Sequence, residues 1–389
     1  MNIMTETKSC VYAKAAKTIV MLMCMVLMFG MMPVFAYGAT GGDLGGQLYF
    51  SDTSDTTGVS YDSAARAYVV SSAGIYTVNN KSNVEKSGDR IKITAPSGTV
   101  TLRLNGINIE GNAAGIECDG ACTTRLVLVD GTTNTLKGMN KYPGIINYEH
   151  SLVIDGESGN TGKLIALGNN GEGGQVGVGY TSAGIGGSEF LNDSTMQNKS
   201  GALSGSNITI NGGIIEATGY GGCAGIGAGS NNVNSGLEGK CQNVIINGGT
   251  VTAKGGDYGG GSGIGAQKVD GITINGGTVN ATGGKQAAGI GGTTNSVEVK
   301  NIKITGGSVT ATGGSYDGYS ADFGGAGIGG GVRNTWKNDT LGNVDGVIIS
   351  GGTVNATGGY NAAGIGGGTR GNCKNVTISG GTVVASLFG

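Results

Sequence analysis

Proline is nearly missing, with 3 residues in 389, and charge is sparse: 13% of the chain is Asp, Glu, Lys or Arg, and the net charge is −2. There is one histidine and one tryptophan. Each shortage excludes something. With so little proline and no strict Gly-X-Y period, the 83 glycines do not make a collagen. The weak, nearly balanced charge removes the electrostatic footprint of a nucleic-acid binder. Disorder is excluded by what remains, because Ile, Val and Ala return at fixed places among the glycines and apolar residues reach 38%. Cysteine is scarce as well. Beyond the first forty residues only Cys118, Cys122, Cys223, Cys241 and Cys373 are left. An odd, scattered set without CxxC spacing is neither a disulfide framework nor a zinc site. They read as small core residues, with a Cys118–Cys122 bridge as the alternative if the backbone permits it.

The N-terminus reads as a targeting segment. Lys8, Lys14 and Lys17 precede an apolar run from Ile19 to Phe29, and Gly30 and Pro33 break it before Val34-Phe35-Ala36. This pattern predicts a signal peptide over residues 1–36, with Gly38 or Ala39 as alternative cleavage positions and an uncleaved membrane anchor as the alternative fate. The expected localisation is secreted or cell-surface.

What the chain has in abundance is a repeat. Ile208-Thr-Ile210-Asn211-Gly212-Gly213-Ile-Ile215-Glu-Ala217 returns with starts at Val244, Ile272, Ile302, Val347 and Val376. A second phrase, Ala224-Gly-Ile226-Gly, follows the first unit and returns at Ser262, Ala288, Ala326 and Ala363. The phrases hold while the connections vary, as strands do when insertions fall in loops. Ile272 and Ile274 alternate with polar residues, Val279 and Ala281 repeat the alternation after a glycine pair, and Ile290 stands in a third short segment. Three short strands per unit predict one coil of a parallel β-helix. Stacking then satisfies every strand edge and buries the apolar face. Ile208, Val244, Ile272, Ile302, Val347 and Val376 should form one interior column. Asn211, Asn247, Asn275, Thr305, Ser350 and Ser379, at the turn, should form a hydrogen-bonded ladder. Weaker alternation at Ile91-Lys-Ile93, Leu102-Arg-Leu104, Leu126-Val-Leu128 and Leu152-Val-Ile154 extends the pattern upstream. The expected organisation is a linker and cap over 37–88 and an all-β parallel β-helix over 89–389.

The segments Leu102-Arg-Leu104-Asn105-Gly106-Ile-Asn-Ile109, Ala113-Ala-Gly-Ile116, Leu126-Val-Leu128-Val-Asp130-Gly131-Thr132-Thr-Asn134-Thr-Leu136 and Gly162-Lys-Leu164-Ile-Ala166, with the glycine phrases, resemble the secreted bacterial carbohydrate-binding-domain proteins. The resemblance covers about residues 74–389. It implies a right-handed β-helix related to polysaccharide lyases, which binds plant-type polysaccharide and calcium without catalysis. No anchor or surface-layer domain of the longer relatives is recognisable in this chain.

Candidate site residues follow from the connections. Tyr220, Tyr258, Tyr316 and Tyr360 come three to five residues after the inward Ala of their units, where the third unit has Lys285. Rings aligned on one edge would stack on sugar faces, with Asp, Asn and Lys bonding the hydroxyls. Trp336 lies in a long insertion with Tyr319 and Phe323 and joins the candidate set. Calcium candidates are Asp130, Asp155, Asp257 and Asp317, all at turns and without EF-hand or GGxGxD spacing. No catalytic residue is expected. His150 has no nucleophile or acid tied to it by a motif, no G-x-S-x-G is present, and no paired carboxylates recur on successive coils. Arg333 and Arg370 lack the clustered Asp that lyase chemistry needs. The alternatives are an adhesive surface repeat protein with a protein partner, and a β-helix lyase or glycosidase. The sixth unit stops at Ser386-Leu387-Phe388-Gly389 without its second phrase. That predicts a fragment of a longer helix, self-association through an open coil, or a plug formed by Leu387 and Phe388.

Overall fold

The computed structural model describes residues 44–51, 58–169, 181–188, 203–229, 238–317, 322–332 and 343–388. All of them lie in one compact unit, Thr40–Gly389. The expected signal peptide, Trp336, Tyr319 and Arg333 fall outside the described residues. Every regular element among those described is a strand.

The strands form three long sheets, one along each side of the coils. The first sheet takes the Ile-x-Ile segment of each repeat: Ile208–Ile210, Lys240–Ile246, Lys268–Ile274, Glu298–Ile304, Asn343–Ile349 and Cys373–Ile378. The third takes the segment after the glycine pair: Ile214–Thr218, Thr250–Lys254, Thr278–Thr282, Ser308–Thr312, Thr353–Thr357 and Thr382–Ser386. The second sheet is built from the short Ile-Gly segments, Ile226–Gly227 through Ile365–Gly366. Pairing between successive coils is parallel throughout these repeats and in register. Ile208 pairs Val244, then Ile272, Ile302, Val347 and Val376 in one column. The first five are buried to within 1%. Val376 belongs to the last coil described and is 43% exposed, as nothing among the described residues covers it. The chain is therefore an all-β parallel β-helix. Its core is a single strip of stacked Ile, Val, Leu and Ala side chains.

Two backbone devices shape each coil. The glycine after each buried Ile of the second sheet has φ between +124° and +143°. A Cβ on Gly265 would stand 1.8 Å from the carbonyl oxygen of Gly291 in the next coil. Only glycine lets the backbone turn there at the coil-to-coil spacing of roughly 4.8 Å. In the first sheet, a residue of left-handed conformation sits between two paired segments of each strand: Asn207, Asn243, Gly271, Asn301, Gly346 and Asn375. Asparagine substitutes for glycine there because its amide finds a partner on the preceding coil. Asn243 donates to Asn207 Oδ1 at 3.1 Å. Where the preceding coil carries glycine, its neighbour is an aspartate that accepts instead: Asn301 donates to Asp270 and Asn375 to Asp345, each at 2.7 Å.

The turn ladder forms in part. Asn247 donates to Asn211, Asn275 to Asn247 and the Thr305 hydroxyl to Asn275, each at 2.8 Å. Asn211 continues it to Asp155, which also takes Arg125 Nε at 2.6 Å. The expected continuation through Ser350 and Ser379 does not occur, since Ser350 faces Thr305 and Ser379 faces Ser350, and two short hydroxyl side chains do not together span one coil. At the other end, parallel stacking begins upstream of the expected boundary at Asp89. Ala67–Val70 pairs Arg90–Ile93 and Gly74–Asn80 pairs Thr99–Leu104, both parallel. Beyond them, Leu48–Ser51 and Val59–Asp62 add antiparallel strands. Tyr68 stacks on Phe50 and Tyr61 there, with centroids 5.0 and 4.8 Å apart.

Candidate functional site

The four tyrosines all lie on the corner that follows the third sheet. Backbone bonds between coils fix their register. Tyr220 N donates to Ser182 O, and the same bond is made by Gly256 N to Cys223, Gly284 N to Gly261, Gly314 N to Ala287 and Gly359 N to Gly325. Tyr220 is thus equivalent to four glycines. Tyr360 is one position further along, level with Asp257 and Lys285, and Tyr258 and Tyr316 are two positions further. The rings share one corner but are staggered over three neighbouring positions, because the connection keeps one register after the inward Ala while the tyrosines stand three, four or five residues beyond it. Tyr258 is 65% exposed, Tyr220 44% and Tyr316 40%.

Two rings already have partners. Tyr360 meets the edge of Phe388 at 4.8 Å, and the Lys285 ammonium stands 5.5 Å from the Tyr316 centroid. Tyr316 lies on a short hairpin, Ser315–Asp317 with Asp322–Gly324, and pairs Phe323, on whose ring the Arg370 guanidinium rests at 4.9 Å. Buried threonines pin this corner from behind. Thr369 Oγ1 donates to Tyr360 O at 2.9 Å and accepts from Gly324 N at 2.9 Å, and Thr294 Oγ1 donates to Lys285 O at 3.2 Å. The result is a corner of fixed backbone bearing four tyrosines, with Lys285 set against Tyr316 and Arg370 against Phe323.

Of the carboxylates named for calcium, Asp130, Asp155 and Asp257 have partners within the protein, and the Asp317 side chain lies outside the described residues. Asp130 accepts from Gly159 N at 2.7 Å and from Thr161 N at 2.9 Å, and these backbone donors hold its carboxyl below the usual carboxylate range. Asp155 holds Arg125 and Asn211, and Asp257 faces Lys254 at 3.5 Å. They stand on separate coils, and among the described residues no three His, Cys, Asp or Glu gather as a metal-binding group. Asp130, Asp155 and Asp257 do not together make a calcium site. His150 closes a tight turn, its carbonyl accepting from Asn147 Nδ2 at 2.8 Å, with Tyr148 and Glu149 at φ of +46° and +66°. Four cysteines are buried as expected, and burial pushes the Cys118 and Cys241 thiols up to about 12. Cys118 and Cys122 are separate thiols. Cys373, on the last coil, is exposed rather than part of the core.

One polar cluster escaped sequence reasoning. On the outer face of the second sheet, Glu117 is ion-paired with Arg90, lies 3.8 Å from Lys92 and accepts from the Tyr148 hydroxyl at 3.2 Å. Lys92 also reaches Asp119 at 3.0 Å. Burial and the Glu117 charge push the Tyr148 phenol far up. The residues alternate with inward Ile91, Ile93, Ile116 and Cys118, and alternation alone would leave them facing solvent. The turn carrying Tyr148 covers them instead.

Residues 208–230, 244–266, 272–294, 302–332, 347–369 and 376–389 match the family model of the beta helix repeat. Comparison with curated proteins and with solved structures finds no match. No helix of the described residues is long and apolar enough to cross a membrane.

Proposed function

We propose that this β-helix is a secreted or cell-surface, non-catalytic polysaccharide-binding protein whose ligand lies along the tyrosine corner. The observation that carries the reading is the corner itself: Tyr220, Tyr258 and Tyr316 present exposed rings from the first, second and fourth repeat coils of one stack. Sugar C–H faces pack on such rings, and the intervening Lys285, Asp257 and Lys254 supply hydrogen-bonding partners for hydroxyls. A rigid backbone is what a weak, repeated ligand needs, because no loop has to be ordered on binding. Calcium has no part in this reading.

The test is retention on a panel of insoluble polysaccharides. Each stacking contact contributes about 0.5–1.5 kcal/mol by analogy with aromatic pairs. The Tyr258→Ala/Tyr316→Ala double variant should therefore lose roughly tenfold in apparent affinity, with an unchanged far-UV spectrum and unfolding midpoint. Retention equal to the parent would remove the corner from the site.

A further inference from the structure

The outer face of the third sheet, next to the tyrosine corner, has an unusual composition. Thr250, Thr278, Ser308, Thr353 and Thr382 pair in one register column, and Thr252, Asn280, Thr310 and Asn355 in the next. All nine are exposed, while Val251, Val279, Val309 and Val354 between them are buried. The result is a grid of hydroxyls and amides, roughly 4.8 Å apart between coils and two residues, about 6.6 Å, apart along each strand. The strands from Thr278 to Thr282, Ser308 to Thr312, Thr353 to Thr357 and Thr382 to Ser386 contain no charged residue, and Lys254 stands at the margin of the strand before them.

Solubility does not account for this. Exposed sheet faces are ordinarily kept soluble by charges. The same coils do so on their first sheet, where Lys268, Asp270, Glu298, Lys300, Lys303, Asp345 and Lys374 lie. Further upstream the third sheet itself is charged and paired, through Lys163 with Glu216 at 2.8 Å and Lys137 with Glu110. Charge is therefore missing from one face over one stretch. The polar groups there are also unspent. The turn ladder consumes its own amides, but the side chains of these nine residues make no hydrogen bond among the described residues.

We infer that this face is the docking surface for a neutral polysaccharide, one without carboxylate or sulfate groups, lying across the coils beside the tyrosine corner. The inference rests on the proposed polysaccharide-binding function and narrows its ligand class. A neutral chain offers a regular array of hydroxyls to an array of unspent donors and acceptors. An acidic chain would find no cation on this face beyond marginal Lys254, so charge complementarity favours the neutral one.

The experiment compares retention of the full chain on insoluble β-glucan, on starch granules and on polygalacturonate gel, for the parent protein, Thr310→Lys/Asn355→Lys, and Tyr258→Ala/Tyr316→Ala. Thr278→Val/Thr310→Val removes hydroxyls while keeping the branched shape that suits a strand, and guards against a lysine variant that fails to fold. The expected result is retention of the parent on a neutral polymer, with a tenfold or greater loss in the lysine variant and a severalfold loss in the valine variant at unchanged unfolding midpoint. Loss in the tyrosine variant with full retention in both face variants would overturn the inference and leave the corner reading standing. Retention of the parent on polygalacturonate alone would do the same. Failure to bind any polymer would overturn both readings. Thermal hysteresis of freezing without polysaccharide retention would also overturn the inference, assigning the grid to the ordered water of an ice surface.

Discussion

The coils before residue 186 and those after 208 belong to one continuous stack, yet they are stabilised differently. Upstream, the core is filled by leucine, at Leu102, Leu104, Leu126, Leu128 and Leu152, and the outer faces are tied by ion pairs, Arg103 with Glu157, Arg125 with Asp155 and Arg90 with Glu117. Downstream, the interior narrows to Ile, Val and Ala, and glycines take the corners. Between-coil contacts there are chiefly amide ladders and backbone bonds, with ion pairs at the first sheet, where Lys374 meets Asp345 at 3.2 Å and Lys268 meets Glu238 at 3.8 Å. The difference teaches where the chain is specified by side chains and where by backbone. In the downstream coils the glycine pair and the Ile-Gly step fix the backbone at the corners, which leaves the outward strand positions free to be occupied for other purposes. The uncharged grid and the tyrosine corner both lie in that half.

The comparison can be broken most severely at a corner. Gly265→Ala places a methyl carbon 1.8 Å from the Gly291 carbonyl and should cost about 4 kcal/mol or more, so that little folded protein is recovered. The upstream Gly131 also has positive φ, +72°, but its Cβ would meet nothing within 4 Å. Gly131→Ala should cost only about 1 kcal/mol, the strain of a left-handed alanine. Urea unfolding of the two variants checks this, and equal costs would refute the division.

Upstream, the charge network should dominate. Glu117→Gln leaves Arg90 covered and without its counter-ion, and should destabilise by about 3 kcal/mol. Lys163→Ala breaks a more exposed pair and should cost less than about 1 kcal/mol. Asn247→Ala, in the downstream ladder, should likewise cost only about 1 kcal/mol in the same unfolding measurement, because its exposed partners can bond water.

The smallest effect is acid sensitivity. Lys137 and Lys86 hold the Glu110 carboxyl below its ordinary value, backbone donors from Thr161 and Gly159 do so for Asp130, and Asn375 with Lys374 for Asp345. A carboxyl depressed in the folded state adds stability above its unfolded value and loses it as pH falls through the folded one. Stability should therefore be level from neutral pH to about 5 and decline below about 4. Asp130→Asn should flatten that decline slightly, as equilibrium unfolding at pH 3 and pH 6 would show.

Much of this was legible in the sequence because a repeat reports its own register. The Ile208-to-Val376 column followed from phrases that keep phase, and parallel pairing followed from the impossibility of burying one coil alone. What was not legible depends on distances between coils. The partners of the corner rings are such a case: Lys285 reaches the Tyr316 ring from the coil before, and Phe388 reaches Tyr360 from the coil after. Ser350 and Ser379 looked equivalent to Asn247 and fail to extend the ladder for want of reach. Glu117 carries no sequence signal of its own, because its burial comes from the turn bearing Tyr148, a contact between coils.

The most direct test of the account is the salt dependence of polysaccharide retention by the full chain. Binding through the uncharged grid and the tyrosine corner should be undiminished when ionic strength is raised from low salt to a level where surface charges are screened over a few ångströms. Retention that collapses on adding salt would place the ligand on the charged faces and contradict it.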